Sequence, residues 1–138
     1  MKTEIFPMTE KGELFAKAHS MHDCSFAATF EQNTLVLVFD NLENYFGPPP
    51  VTHWFEEYQK LTIKYHNTDV LNLHLKYGKK ENNFYGTVDP LDVKKLIMYK
   101  FSVDSFNEIT LDFYAQIKKK LWGGKIEISP DRIEYIWE

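Results

Sequence analysis

Four potential metal ligands fall within six residues in the run His19-Ser20-Met21-His22-Asp23-Cys24. Neutral imidazole, carboxylate and thiolate all suit zinc, and His22 and Cys24 would share one side of a locally extended chain. The same run offers a thiol nucleophile, Cys24, with His19, His53, His66 or His74 as a base that could activate it. Against both, metal sites usually draw ligands from two separated segments, and no second Cys or His pair follows. Cys24 also lies in phase with Phe26, Ala28 and Phe30, as a small hydrophobe on the buried side of a strand would. On that structural reading Asp23 caps a turn and His22 hydrogen-bonds to backbone, and it is the reading preferred here, with no cofactor.

The dipeptide His22-Asp23 also occurs in HD-type metal phosphohydrolases, but their further ligands sit on helices, whereas the residues after Asp23 alternate as a strand does. The chain has no glycine-rich phosphate loop, no G-x-S-x-G elbow and no paired-carboxylate motif. Binding is better supplied. Tyr45-Phe46-Gly47-Pro48-Pro49-Pro50 joins a stiff loop to aromatic side chains, Trp54-Phe55 follows, and Glu43, Glu56 and Glu57 surround it with negative charge. Tyr45, Phe46, Trp54, Glu43, Glu56 and Glu57 are therefore the candidate partner-binding residues. The alternative is that the aromatics fold inward and the prolines end a strand. Lys118-Lys119-Lys120 with Lys125 reads as the solvated end of a hairpin.

These residues must be positioned by strands. Phe26, Ala28 and Phe30, then Leu35, Leu37 and Phe39, alternate on either side of Gln32-Asn33, which predicts a hairpin whose second strand is central. Val51, Trp54, Phe55, Tyr58 and Leu61 predict a short helix running into a strand. Asn67-Thr68-Asp69 predicts a turn joining Lys60–His66 to Val70–Tyr77 as a second hairpin, with a loop over Gly78–Asn83. Asp89-Pro90 predicts one helical turn before a strand through Ile97–Val103. Alternation from Ile109 to Ile117 predicts a long strand, Gly123-Gly124 a tight hairpin, and Ile133, Tyr135 and Trp137 a last strand after Pro130. The expected fold is mainly β, with α+β as the alternative. It is a curved antiparallel sheet or partial barrel built from hairpins, with one or two short helices and Leu35, Leu37, Phe39, Leu111, Phe113 and Ile117 in the core.

With 138 residues, 43% of them hydrophobic and 16% aromatic, residues 1–138 are expected to form a single globular domain, and the aromatic excess favours sheet. A single cysteine allows no internal disulfide, which fits a reducing, cytoplasmic address, and no apolar run is long enough for a signal peptide or a membrane span. The net charge of −4 is uneven: residues 1–69 carry five Lys/Arg against ten Asp/Glu, and residues 70–138 eleven against ten. An acidic balance of this kind argues against a dedicated nucleic-acid binder and suits a basic protein partner.

Met21-His22-Asp23-Cys24, followed by a hairpin with the Leu35–Phe39 core, resembles a set of small bacterial cytoplasmic proteins that includes immunity proteins of polymorphic toxin systems. The likeness extends to the Gly123-Gly124 region and the Ile133–Trp137 strand. What the resemblance implies is a small cytoplasmic protein that binds another protein. The sequence thus leads to a non-enzymatic protein-binding domain, with toxin neutralisation as its specific form. The alternatives are a metal-dependent or thiol enzyme centred on His19, His22, Asp23 and Cys24, and a small-ligand carrier using a cavity in a curved sheet.

Overall fold

The computed structural model describes residues 1–8, 21–40, 42, 58–92, 95–104, 106 and 108–138. Ten strands fill most of it: β1 Lys2–Pro7, β2 Ser25–Glu31, β3 Thr34–Phe39, β4 Leu61–His66, β5 Leu71–Tyr77, β6 Lys80–Tyr85, β7 Lys95–Val103, β8 Ile109–Ile117, β9 Lys120–Ile128 and β10 Arg132–Trp137. They form one antiparallel sheet in the order β1-β10-β4-β3-β2-β7-β8-β9-β5-β6, open at β1 and β6. The chain is therefore mainly β, and a single turn of 3-10 helix, Asp89–Leu91 with Pro90 in it, precedes β7.

The sheet is continuous because β2 changes partners along its length. Ala27–Glu31 pair with β3, whereas Ser25 and Phe26 pair with Ile97 and Leu96 of β7. The sheet curls at this fork until inner faces meet: Tyr65 on β4 stacks on Phe101 on β7, with ring centroids 6.5 Å apart, and Phe26 meets Phe113 edge-on at 5.7 Å. Alternate residues of each strand then fill one hydrophobic core, in which Leu35, Leu37, Phe39, Leu111 and Phe113 are buried as expected. Ile117, at the end of β8, is only partly buried against it.

Three local expectations are corrected. First, β4 and β5 are not a hairpin: β4 lies between β3 and β10, and β5 between β9 and β6. The link Asn67-Thr68-Asp69 is a junction instead. Buried Thr68 donates its N–H to Asn33 O at 2.7 Å and its hydroxyl to Tyr65 O, and the Asn67 amide donates to Asp131 Oδ2 at 2.6 Å. These bonds tie the link to the β2–β3 turn and to the segment before β10, and the chain passes from one half of the sheet to the other. Second, Gly78–Asn83 is mostly strand, because β5 turns at Gly78-Lys79 straight into β6. Third, Gly123 and Gly124 lie inside β9, and the hairpin turn is Lys118-Lys119, with φ of 50° and 67°. The short helix expected over Val51–Leu61 falls largely outside the described residues, and Leu61 already begins β4.

Candidate binding surface

The His-Asp-Cys element is a tight turn bonded to β7. Met21 and Asp23 both adopt left-handed backbone, with φ of 54° and 65°, and Cys24 N–H donates back to Met21 O at 3.2 Å. Asp23 N–H donates to Met98 O at 2.8 Å, and Met98 N–H to Cys24 O at 2.9 Å, next to the irregularity between Met98 and Lys100. His22 Nδ1 lies 2.6 Å from Tyr99 O. A carbonyl only accepts, so Nδ1 carries a proton and Nε2 faces Asp23 Oδ2 at 3.3 Å. The imidazole also meets the Tyr99 ring edge-on at 5.6 Å. Cys24 points the other way, into the core, where burial first and the charge of Asp23 second push its thiol up to about 12. His22 and Asp23 thus stand together at the surface while Cys24 is a protonated core residue, and His19 lies outside the described residues. Among the described residues no three His, Cys, Asp or Glu side chains converge as a metal would need. Of the other histidines, His66 is engaged with Glu134 at 2.8 Å, His74 with Asn83, and His53 lies outside the described residues.

Beyond Tyr99 lies a feature the sequence does not announce. The outer face of the β7-β8-β9-β5-β6 half carries an open depression of about 570 Å³. Its geometry follows from register. Tyr114 on β8 is opposite Gly123 on β9, which is opposite Lys76 on β5, which is opposite Glu81 on β6. With no side chain at Gly123, one step of that row is missing and a hollow opens between Tyr114 and Lys76. Tyr99 packs on Tyr114 at 5.6 Å, and both rings remain partly exposed, at 49% and 39%. In the adjacent row Lys100, Asp112, Lys125 and His74 follow one another across β7, β8, β9 and β5. The surface is therefore a dish with an aromatic wall and a charged rim on which three lysines, Lys76, Lys100 and Lys125, outnumber the carboxylates Glu81 and Asp112.

The same pairing gathers charge at one end. The turns Gly78-Lys79 and Lys118-Lys119 lie side by side, since Tyr77 packs on Trp122 at 5.3 Å and Lys120 Nζ sits 5.4 Å above the Tyr77 ring. Lys95 begins β7 at the same end, opposite Gln116. Residues 71–128 hold ten Lys against seven Asp/Glu, a net +3 that leaves −7 on the rest of the chain.

Tyr45, Phe46, Trp54, Glu43, Glu56 and Glu57, expected as partner contacts, lie outside the described residues. Sequence reading missed the dish because its residues come from five strands, with Gly123 taken for a turn. A glycine inside a strand pattern is itself the signal, marking a gap or a close approach. No family model matches the chain, and no curated protein or solved structure matches it. No helix among the described residues is long and apolar enough to cross a membrane.

Proposed function

We propose that this chain is a non-enzymatic protein-binding domain and that the outer face of β7, β8, β9 and β5 is a docking surface. The observation that carries the reading is the Gly123 hollow flanked by half-exposed Tyr99 and Tyr114. Tyrosines held by sheet backbone present large, stiff contact area with little rotamer entropy to lose, and a hollow beside them receives a protruding side chain. An open dish leaves a bound group in contact with solvent, which suits an interface better than a reaction that must exclude water. The resemblance of Met21–Cys24 and its hairpin to immunity proteins supports a partner of one class, a toxin held by this domain in an inactive complex.

The test fills the hollow. Gly123 faces outward, and a Cβ there would meet only Lys76 O, at 3.8 Å, so Gly123→Tyr keeps the core intact. A photo-crosslinking residue in place of Tyr114 identifies what docks, and the complex is then rebuilt from purified components. The expected result is that Gly123→Tyr speeds dissociation by about tenfold or more, the usual route by which interface changes act. Equal dissociation rates for Gly123→Tyr and wild type would remove the dish from the interface.

A further inference from the structure

We infer that the segment docking on this surface is an acidic peptide stretch of the partner, with carboxylates spaced by apolar side chains. This rests on the protein-binding reading and adds the chemistry of what is bound. Lys76, Lys79, Lys95, Lys118, Lys119 and Lys120 converge through two neighbouring turns and a strand start, although they are spread over 45 positions of sequence, and Lys100 and Lys125 extend the charge into the dish. Among the described residues only Lys76 of this set has an ion-pair partner, Glu81 at 3.6 Å. The positive field is therefore left mostly uncompensated by the protein itself. Carboxylates instead collect at the far end of the same strands, with Asp104 and Glu108 in the β7–β8 turn and Glu127 opposite Thr110. That gradient orients an incoming anion toward the lysine end.

The extent of the surface selects the occupant. From β7 to β6 there are four interstrand steps, about 19 Å, which an extended peptide of about six residues crosses. Tyr99, Tyr114 and the exposed Leu121 sit among the lysines and offer contact to apolar side chains. A nucleic acid fits less well. Its affinity comes from neutralising a continuous run of phosphates, and here Glu81 and Asp112 interrupt the lysines while the rest of the chain carries −7. A peptide places carboxylates only where lysines face them.

The test uses the full chain and a fluorescent peptide, Glu-Glu-Phe-Glu-Glu-Phe-Glu, read by anisotropy at low salt and at about 0.15 M salt. The comparison probes are its lysine counterpart and a single-stranded oligothymidylate of similar length. The acidic peptide should bind saturably, weaken with salt, and bind about tenfold tighter than the oligothymidylate. Reversing Lys118, Lys119 and Lys120 to Glu should weaken it by about tenfold or more, whereas Lys2→Glu with Lys60→Glu should leave it unchanged, with circular dichroism confirming the fold of each. Absence of saturable binding at low salt, binding that survives the triple reversal, or equal or tighter binding of the oligothymidylate would each overturn the inference. If the peptide fails to bind while the Tyr114 crosslink persists, the acidic chemistry falls and the docking surface stands. If the peptide binds as expected while Gly123→Tyr leaves the purified partner unaffected, the docking reading falls and the acidic-peptide site stands.

Discussion

Gly124→Ala is the sharpest test of the packing described here, because its neighbour Gly123 is a control on the opposite face of the same strand. Phe113 on β8 pairs directly with Gly124 on β9, and its ring lies across the glycine on the inner side of the sheet. A Cβ added at Gly124 would fall within 3.0 Å of three ring carbons, the farthest at 2.8 Å. Carbon atoms pack at about 3.5–4.0 Å, so the ring or the strand must move by more than half an ångström in a filled core. Overpacking of this kind costs about 1–3 kcal/mol, and the lower chain entropy of unfolded alanine offsets about 0.4–1 kcal/mol of it. The expected net loss is about 1–2 kcal/mol. Gly123→Ala meets only a carbonyl oxygen at 3.8 Å and should raise stability by about 0.5–1 kcal/mol.

Urea unfolding measures both variants, and their midpoints should differ by about 1 M at an ordinary slope. A double-mutant cycle then assigns the cause. Phe113→Ala alone should cost about 3–5 kcal/mol, and in that background Gly124→Ala should cost nothing, because the ring it strikes is gone. Equal midpoints for the two glycine variants, or a Gly124→Ala penalty that persists without the ring, would refute the packing of Phe113 on Gly124.

The other expectations are briefer. Replacing Lys118-Lys119 by Asn-Gly should raise stability by about 1–2 kcal/mol, since both lysines hold left-handed backbone that those residues adopt readily; an unchanged thermal midpoint would count against the turn geometry. Burial holds the Cys24 thiol at about 12 against an ordinary 9.0, so its contribution is fully present below pH 9 and is lost as pH rises toward 12, by up to about 1.4 kcal/mol per pH unit. Cys24→Ala should therefore flatten the alkaline fall in stability that begins near pH 9, before Tyr65 and Tyr135, also raised by burial, add theirs. Protein purified without metal affinity media should contain less than stoichiometric zinc, iron or manganese; one metal per chain, lost on changing His22 and Cys24 together, would restore the metal reading.

Legibility in the sequence followed the range of the interaction. Strand β8 shows in its own alternation from Ile109 to Ile117, because one face meets the core and the other does not. The β2–β3 hairpin shows in Gln32-Asn33, which supply the two left-handed positions the turn uses. Asn67-Thr68-Asp69 misleads because three polar residues look the same whether they join paired strands or tie separate loops together. That choice is made by Asn33 and Asp131, more than thirty and sixty positions away. Gly124 misleads for the same reason, its glycine being required by a ring on the neighbouring strand and not by a turn.

The candidate surface was the least legible because no stretch of sequence contains it. The lysines at its end come from two turns separated by about forty residues, and in the chain-wide balance their charge is hidden by carboxylates that fold to the far end. The Lys118-Lys119 turn joins this surface to the stability argument. A hairpin under selection for stability alone favours Asn-Gly at such a turn, yet lysines occupy it at a cost of about 1 kcal/mol each. Local rules are most often broken where a site needs a particular side chain. The Asn-Gly variant should then move two measurements in opposite directions, raising the unfolding midpoint while weakening the acidic peptide. A variant that gained stability and bound the peptide as tightly as wild type would show that the two lysines stand there for no reason connected with the surface.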